Sequence, residues 1–391
     1  MLSRSHTLAG VYAHGYGKVV RSGPIPDRPE PPRGGVPLAT LASAGPFGEA
    51  VAWTLRTVLA PRRFEPWNPF NDHRSYPSPR AVWLVDVELT VAGHRFLVDP
   101  VRSRLIPLTG PVPTTVDGPL ALRLTIHSDR LPAGYGELAQ ALGWLEAGHV
   151  AGAIAEAAAV AGVQVFTGYP SDEPALDIIL EPDGIPGSWP EERVRAHRTA
   201  GLGPCGLTPD PRPLPTRDLD RLLRAAHATP PGSPARWPGL SHHLAVRGVT
   251  GVADGWYSLV DGSAGRPGPA MEAIRESFSY PPDQIDVGGM NVGWVLAAPT
   301  ARLVSTGSTG SAGSTGTYHR VLVTAGAVAQ HIGSAAASAR LFCRPARSVH
   351  EDRLETAARL PADHDFVYLL LIGRSRVRDF AYDLTPPEVS P

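Results

Sequence analysis

Leu145-Glu146-Ala147-Gly148-His149-Val150-Ala151 and Val323-Thr324-Ala325-Gly326-Ala327-Val328-Ala329 decide the fold, because each leads an alanine-rich helical run and the two runs superpose without a gap. Gly148 falls on Gly326, an offset of 178 in the numbering (326 − 148). The same offset pairs Val150 with Val328, Ile154 with Ile332, Ala157 to Ala159 with Ala335 to Ala337, and Ala161 with Ala339. A period of that size is too long for a solenoid. It reads as two copies of one globular unit joined head to tail, which can fold back on each other as a pseudo-dimer.

Outward from the helices, the rest of each copy fills in. Gly48 to Leu59 is expected as a short helix, whereas Pro24 to Pro32 is non-helical. Ala81 to Val91 alternates Val85, Val87 and Leu89 with Asp86, Glu88 and Thr90, the period-two pattern of a half-buried strand. Arg95 to Val98, Leu120 to Ile126, Val163 to Phe166 and Asp177 to Leu180 are further strands, and Tyr135 to Ala161 is the long helix. In the second half, Thr216 to His227 is a helix, Ser241 to Val249, Tyr257 to Val260, Val292 to Ala298 and Phe366 to Ile372 are strands, and Thr317 to Ala339 is the second long helix. The tract Ser305 to Gly316 reads as a flexible loop. The fold class is α+β, each copy a sheet flanked by helices. Copy one covers 1–183, a proline- and glycine-rich linker 184–196, and copy two 197–391.

Composition sets limits. A chain of 391 residues is about two ordinary domains, and a net charge of −1 gives no electrostatic footprint for nucleic acid or an anionic membrane. Neither a basic, apolar leader nor eighteen consecutive apolar residues occurs, so a cytoplasmic protein with no membrane span is expected. Cys205 and Cys343 are too few for a disulfide framework and read as buried small hydrophobes. The histidines, His242, His243 and His331 among them, show no zinc spacing, so no metal is expected. Lys18 is the only lysine, which leaves no phosphate-loop lysine.

Arg74-Ser75-Tyr76-Pro77-Ser78-Pro79-Arg80-Ala81, running into a strand, resembles the signature that opens the first core strand of the nitroreductase superfamily, and more narrowly of SagB-like peptide dehydrogenases. Arg95-Phe96-Leu97-Val98-Asp99-Pro100 and the Glu146-Ala147-Gly148-His149 helix keep that family's order, and Gly255-Trp256-Tyr257 and Ala325 to Gln330 repeat it more loosely. The resemblance implies an FMN site between the two copies. Pro77 and Ser78 of copy one would face the flavin, and Arg198, Arg340, Leu341, Arg374 and Arg376 of copy two would complete the site, with Arg374 and Arg376 on one side of an extended segment. The other site would lack both halves, because copy one ends in Leu180-Glu181-Pro182-Asp183 and copy two has Arg236-Trp237-Pro238-Gly239-Leu240 in place of the proline-serine loop.

Two departures mark this chain. Arg80 stands where the family has glycine, and either caps the flavin or obstructs it. The family's lysine-tyrosine pair before the central helix is reduced to Tyr135, in Ala133-Gly134-Tyr135-Gly136, which is either the acid-base residue or an anchor for the helix start. His149 reads as a hydrogen-bonded core residue. The implied activity is FMN-dependent dehydrogenation of azoline rings to azoles in a ribosomally made peptide, with that modified peptide and other enzymes of a peptide-modifying complex as partners. The alternatives are a flavin-free copy acting as a structural partner in such a complex, and a generic NAD(P)H-linked nitroreductase.

Overall fold

The computed structural model describes residues 34–65, 73–136, 138–169, 174–195, 207–236, 239–259, 265–300, 313–376 and 382–384. Two sheets carry the chain. The first contains β1 (Val36–Pro37), β3 (Val85–Val91), β4 (His94–Asp99), β5 (Arg104–Pro107), β6 (Leu120–Ile126), β7 (Gln164–Gly168) and β8 (Ala175–Glu181), in the order β1-β5-β4-β3-β6-β8-β7. The second contains β9 (Ser241–Val246), β10 (Gly255–Ser258), β11 (Arg266–Pro267), β12 (Val292–Pro299), β13 (Phe342–Ala346) and β14 (His364–Gly373), in the order β11-β10-β9-β12-β14-β13. From the β5/β11 edge inward the two orders match strand for strand, all pairs antiparallel, and β1 is an addition to the first sheet.

Helices fall in matching places. Between β6 and β7 comes α2 (Leu138–Ala161), and between β12 and β13 comes α6 (Gly313–Ser338). Ahead of the core strands stand α1 (Pro46–Leu59) and α4 (Thr216–His227), while α3 (Glu191–Arg195) lies in the connection and α5 (Ala270–Ser277) and α7 (Glu351–Ala358) cover the outer face of the second sheet. Along β3, Val85, Val87, Leu89 and Val91 are buried and the residues between them are half-exposed, as the alternation requires. α2 is apolar on every side and accordingly buried on every side.

The crossing of α2 and α6 is built on the glycines that set the sequence register. A Cβ at Gly148 would stand 2.2 Å from the Val323 carbonyl oxygen, and one at Gly326 would stand 2.1 Å from that of Leu145. Leu145 and Val323 are separated by the same offset (323 − 145), so the contact is reciprocal, as in a two-fold interface. Around it one continuous apolar core runs from Leu55 and Leu89 through Val150 and Val328 to Leu370. By length and composition Tyr318–Ser338 could cross a membrane, but 89% of that window is buried inside the protein. A last strand, β15 (Tyr382–Asp383), returns to pair with β2 (Arg63–Phe64) of the first half.

Several boundaries differ from the sequence reading. β3 begins at Val85 rather than Ala81, because Arg80, Ala81 and Trp83 have φ of 53°, 53° and 55° and form a turn. α2 begins at Leu138; Ala133–Tyr135 is a separate tight turn closed by Gly136. Of the serine-glycine tract, residues 305–312 lie outside the described residues, and Gly313 to Gly316 form the first turn of α6 rather than a loop.

Candidate functional site

The turn from Arg74 to Trp83 is tied to both halves. Ser75 Oγ donates to the Val58 carbonyl at 2.6 Å, and Gln330 Nε2 on α6 donates to the Ser75 carbonyl at 3.0 Å. Ser78 Oγ donates to Glu146 Oε2 at 2.7 Å and accepts from the Trp83 amide at 2.9 Å, which holds three left-handed, non-glycine conformations in place between them. Arg80 therefore occupies a backbone conformation that glycine adopts without strain. Pro77 and Ser78 are half-exposed.

Behind the turn lies a buried polar cluster. Glu146 on α2 is 1% exposed, and burial pushes its carboxyl up to about 7 against the Ser78 hydrogen bond and the Arg74 charge. Arg74 lies over the Trp83 ring at 4.1 Å, within cation–π range. It also donates from Nη1 to the Tyr76 hydroxyl at 3.2 Å. Arg74 Nε and Nη2, Trp83 Nε1 and Glu146 Oε1 are buried with no hydrogen-bond partner among the described residues, although the Leu84 and Val85 amides lean toward the carboxyl.

Tyr135 meets the turn from the other side. Burial raises its phenol and nearby Tyr280 raises it further, while Arg80, hydrogen-bonded to it, opposes both. Tyr280 belongs to the second half and is 42% exposed; it is also within electrostatic reach of Arg344 on β13. The structure thus gathers Ser78, Arg80 and Tyr135 with Tyr280 and Arg344. The sequence carried no signal for the last two, a tyrosine in a proline-flanked loop and an arginine in a short strand.

The remaining expected residues stand at the end of the second sheet. Phe342 pairs with Gly373, so Arg340-Leu341 and Arg374-Ser375-Arg376 leave the sheet together. Arg340 closes α6 in the left-handed conformation, with φ 59°, and its side chain is exposed, whereas Leu341 is buried. Arg374 is engaged: Nη2 reaches Asp218 Oδ2 at 3.3 Å, and its carbonyl accepts the Asp210 amide at 2.7 Å. Arg376 is exposed and held by its backbone to the Thr208 carbonyl at 3.1 Å. Arg198 lies outside the described residues.

The same place in the first sheet is built differently. Gln164 pairs with Glu181 as Phe342 pairs with Gly373. The counterpart of Arg340 under the repeat offset is Gly162, also left-handed with φ 75°. Gly184 follows Glu181 at the spacing by which Arg376 follows Gly373, and a Cβ on Gly184 would stand 2.6 Å from the backbone carbons of Gly162 and Val163. The connecting chain then lies over the helix end: Pro186 packs on Gly162, the Gly187 amide donates to Val160 at 3.0 Å, and the Ser188 amide and hydroxyl donate to Ala159 at 3.1 and 3.0 Å. Trp189 is buried against His331. Where the second sheet presents two exposed arginines, the first is filled by its own linker.

Other buried polar groups join the halves. His331 Nε2 meets Ser233 Oγ at 2.8 Å and its Nδ1 meets Glu156 Oε1 at 2.9 Å, while Ser334 donates to Glu156 Oε2 at 2.7 Å. His149 lies between Gln330 Oε1 and the Tyr368 hydroxyl, and burial lowers it to about 3, a neutral core histidine as expected. Thr324, the counterpart of Glu146 in the second copy, donates to the Pro234 carbonyl at 3.3 Å. The short turn Pro234–Arg236, preceded by Ser233, therefore holds the place of Pro79–Ala81, preceded by Ser78, so a serine-proline turn stands in the second copy just ahead of the Arg236–Leu240 stretch to which the sequence pointed. Cys343 is buried and its thiol is pushed up to about 12, and Cys205 lies outside the described residues. Among the described residues no three His, Cys, Asp or Glu side chains gather in a metal-holding group.

No protein-family model and no curated protein matches the sequence. Solved structures do. A provisionally assigned nitroreductase from Anabaena variabilis superposes with a TM-score of 0.67 at 14% identity, over 90% of this chain and 94% of that one. A provisionally assigned nitroreductase from Ralstonia eutropha, TM-score 0.35 and 18% identity, spans 48% of this chain and 83% of its own. The E. coli microcin synthetase complex with a truncated precursor bound, TM-score 0.34 and 16% identity, spans 46% and 71%. The superposition over nine-tenths of the chain shows the fold: sheets flanked by helices in the nitroreductase arrangement.

Proposed function

We propose that the chain is an FMN-dependent oxidoreductase with one flavin per polypeptide, whose preferred substrate is an azoline ring in a modified peptide. The observation that carries this reading is the unequal pair of sheet ends, with exposed Arg340 and Arg376 at one and the packed Gly162, Gly184 and linker at the other. The donor set fits the cofactor. Forked guanidinium donors suit a phosphate dianion, and Arg340 is kept in a conformation that costs about 1 kcal/mol relative to glycine, a cost that is offset if its side chain binds a ligand. Arg344, two positions along β13 from Phe342 and so about 7 Å away, links that end to the Ser78–Tyr135 cluster. A molecule with a phosphate at one end and a planar ring at the other would bridge the two.

In this reading Arg340 and Arg376 hold the phosphate, Arg374 is fixed by Asp218 as a flanking positive charge, and Leu341 walls the site; Arg198 is assigned from the family resemblance alone. Pro77, Ser78 and Arg80 face the ring, and Tyr135 donates a hydrogen bond, a role that suits a phenol raised by burial better than a base does. When bound, FMN supplies acceptance of a hydride, and the protein supplies position and charge. One observation favours the flavin-free alternative: the Arg80 side chain is already bonded to Tyr135, within the cluster assigned to the ring. The absorption spectrum of the purified protein after reconstitution separates the two. A yellow protein with about one FMN per chain supports the enzyme, and no bound flavin leaves the scaffold reading.

A further inference from the structure

The proposed reaction needs a group to take a proton, and the lysine that would serve in the family is absent; the only lysine, Lys18, lies outside the described residues. We propose that Ser78 and Glu146 form a two-member proton relay at this site, Ser78 taking the proton from the substrate carbon as it hands its own to Glu146. The inference rests on the functional reading above and names the acid-base pair within it.

Hydrogen-bond accounting points to this pair. A serine oxygen has one proton and two lone pairs. The proton is committed to Glu146 at 2.7 Å and one lone pair accepts the Trp83 amide at 2.9 Å, which leaves one lone pair on a half-exposed residue. Behind it the carboxyl is sealed from water, so a proton reaches it through Ser78. Arg74 faces it with a buried guanidinium of which Nε and Nη2 are unpartnered among the described residues, a fixed charge that sustains the ionised form. The Tyr368 hydroxyl on β14 is the other titratable group coupled to it, and burial raises that phenol and keeps it neutral. A carboxyl near 7 lies where a general base works best at neutral pH. Tyr135, pushed upward, lies far from it.

The step balances. The Cα–H bond of the azoline would break and its electron pair would become the new Cα=Cβ bond as a hydride departs from Cβ; bound FMN would supply the acceptor for that hydride. Ser78 ends with a proton on its oxygen as before, and Glu146 ends as the carboxylic acid.

The test uses the full chain and two variants, Glu146→Gln and Ser78→Ala. On flavin-free protein, infrared difference spectra across pH should show one buried carboxyl titrating near 7 that vanishes in Glu146→Gln and moves upward in Ser78→Ala, because the hydroxyl no longer stabilises the anion. On FMN-loaded protein, oxidation of a synthetic peptide with a single thiazoline should rise through the same pH. Glu146→Gln should lower it by roughly 10²- to 10⁴-fold with FMN affinity kept, and Glu146→Asp should restore part of it. A Glu146→Gln variant within a few-fold of the parent with the same pH limb, or no carboxyl titrating near 7, overturns the relay alone. A parent that binds FMN but leaves the peptide untouched overturns the substrate reading and the relay with it.

Discussion

Replacing Arg340 and Arg376 together by alanine should weaken FMN binding by about a hundredfold. Each forms at least one charge-assisted hydrogen bond to the phosphate in the proposed site, worth about 1.5–3 kcal/mol, and because both side chains are exposed the low end applies. Two such bonds give about 3 kcal/mol, or roughly a hundredfold in Kd. Arg374→Ala should cost less, since that guanidinium already engages Asp218. Misfolding is the competing explanation for lost flavin, and Arg340→Gly separates the two. Glycine relieves the left-handed strain at φ 59°, so the melting temperature should hold or rise while affinity falls. The assay is quenching of flavin fluorescence at fixed ionic strength, because exposed charges are screened by salt. A double variant that binds FMN like the parent, or an Arg374→Ala variant weaker than the double, refutes the assignment of the phosphate to this end.

Three other outcomes are expected. Flavin analysis with light scattering should find one FMN on a monomeric, active chain; two per chain would show that the linker leaves the other place accessible. Gly148→Ala should destabilise the protein by about 1–3 kcal/mol through overpacking at the helix crossing, whereas Gly118→Ala, with open space around it and no positive φ, should be near neutral by thermal melting. Burial alone would raise the Asp86 carboxyl, but hydrogen bonds and charge from His127 and Arg130 together outweigh it and hold the group well below the ordinary carboxylate range. Its folded pKa is lower than its unfolded one, so its stabilisation is present in full above about pH 4 and fades as pH falls below that. Denaturation of Asp86→Asn should therefore show a flatter loss of stability in acid than the parent.

The fold was legible because its central contact is written in small residues. Gly148 and Gly326 are required at the crossing, and alanine keeps the surrounding helix faces close, so the repeat register survives there where strand sequences have drifted. Alternation placed β3 and β6 well, and it misplaced only the start of β3, where Val82, Trp83 and Leu84 look like strand but lie in a turn held by Ser78. The small strands β1, β5 and β11 carry too few residues for any period to show. Ser78 and Arg80 were found through the motif, yet Glu146 was read only as part of a helix signature. Its chemistry depends on Arg74 and Ser78, with the Leu84 and Val85 amides, converging on it from a stretch of the chain four strands earlier, which no local pattern encodes.

The unequal ends of the two sheets follow from connectivity. In a symmetric homodimer every place occurs twice and must be built identically. Here both sheets lie in one chain, and the segment leaving β8 must travel from the first half to the second. It passes directly over the end of α2, where Gly162 and Gly184 let two backbones touch and Trp189 and Val194 bury themselves against the helices. An arginine at either glycine position would collide with that path. After β14 the chain comes back to the first half, where β15 pairs with β2, and Arg340 and Arg376 stay exposed at the end of the second sheet. A covalent link between the halves thus closes one sheet end by its own path, and the proposed site is left to the other.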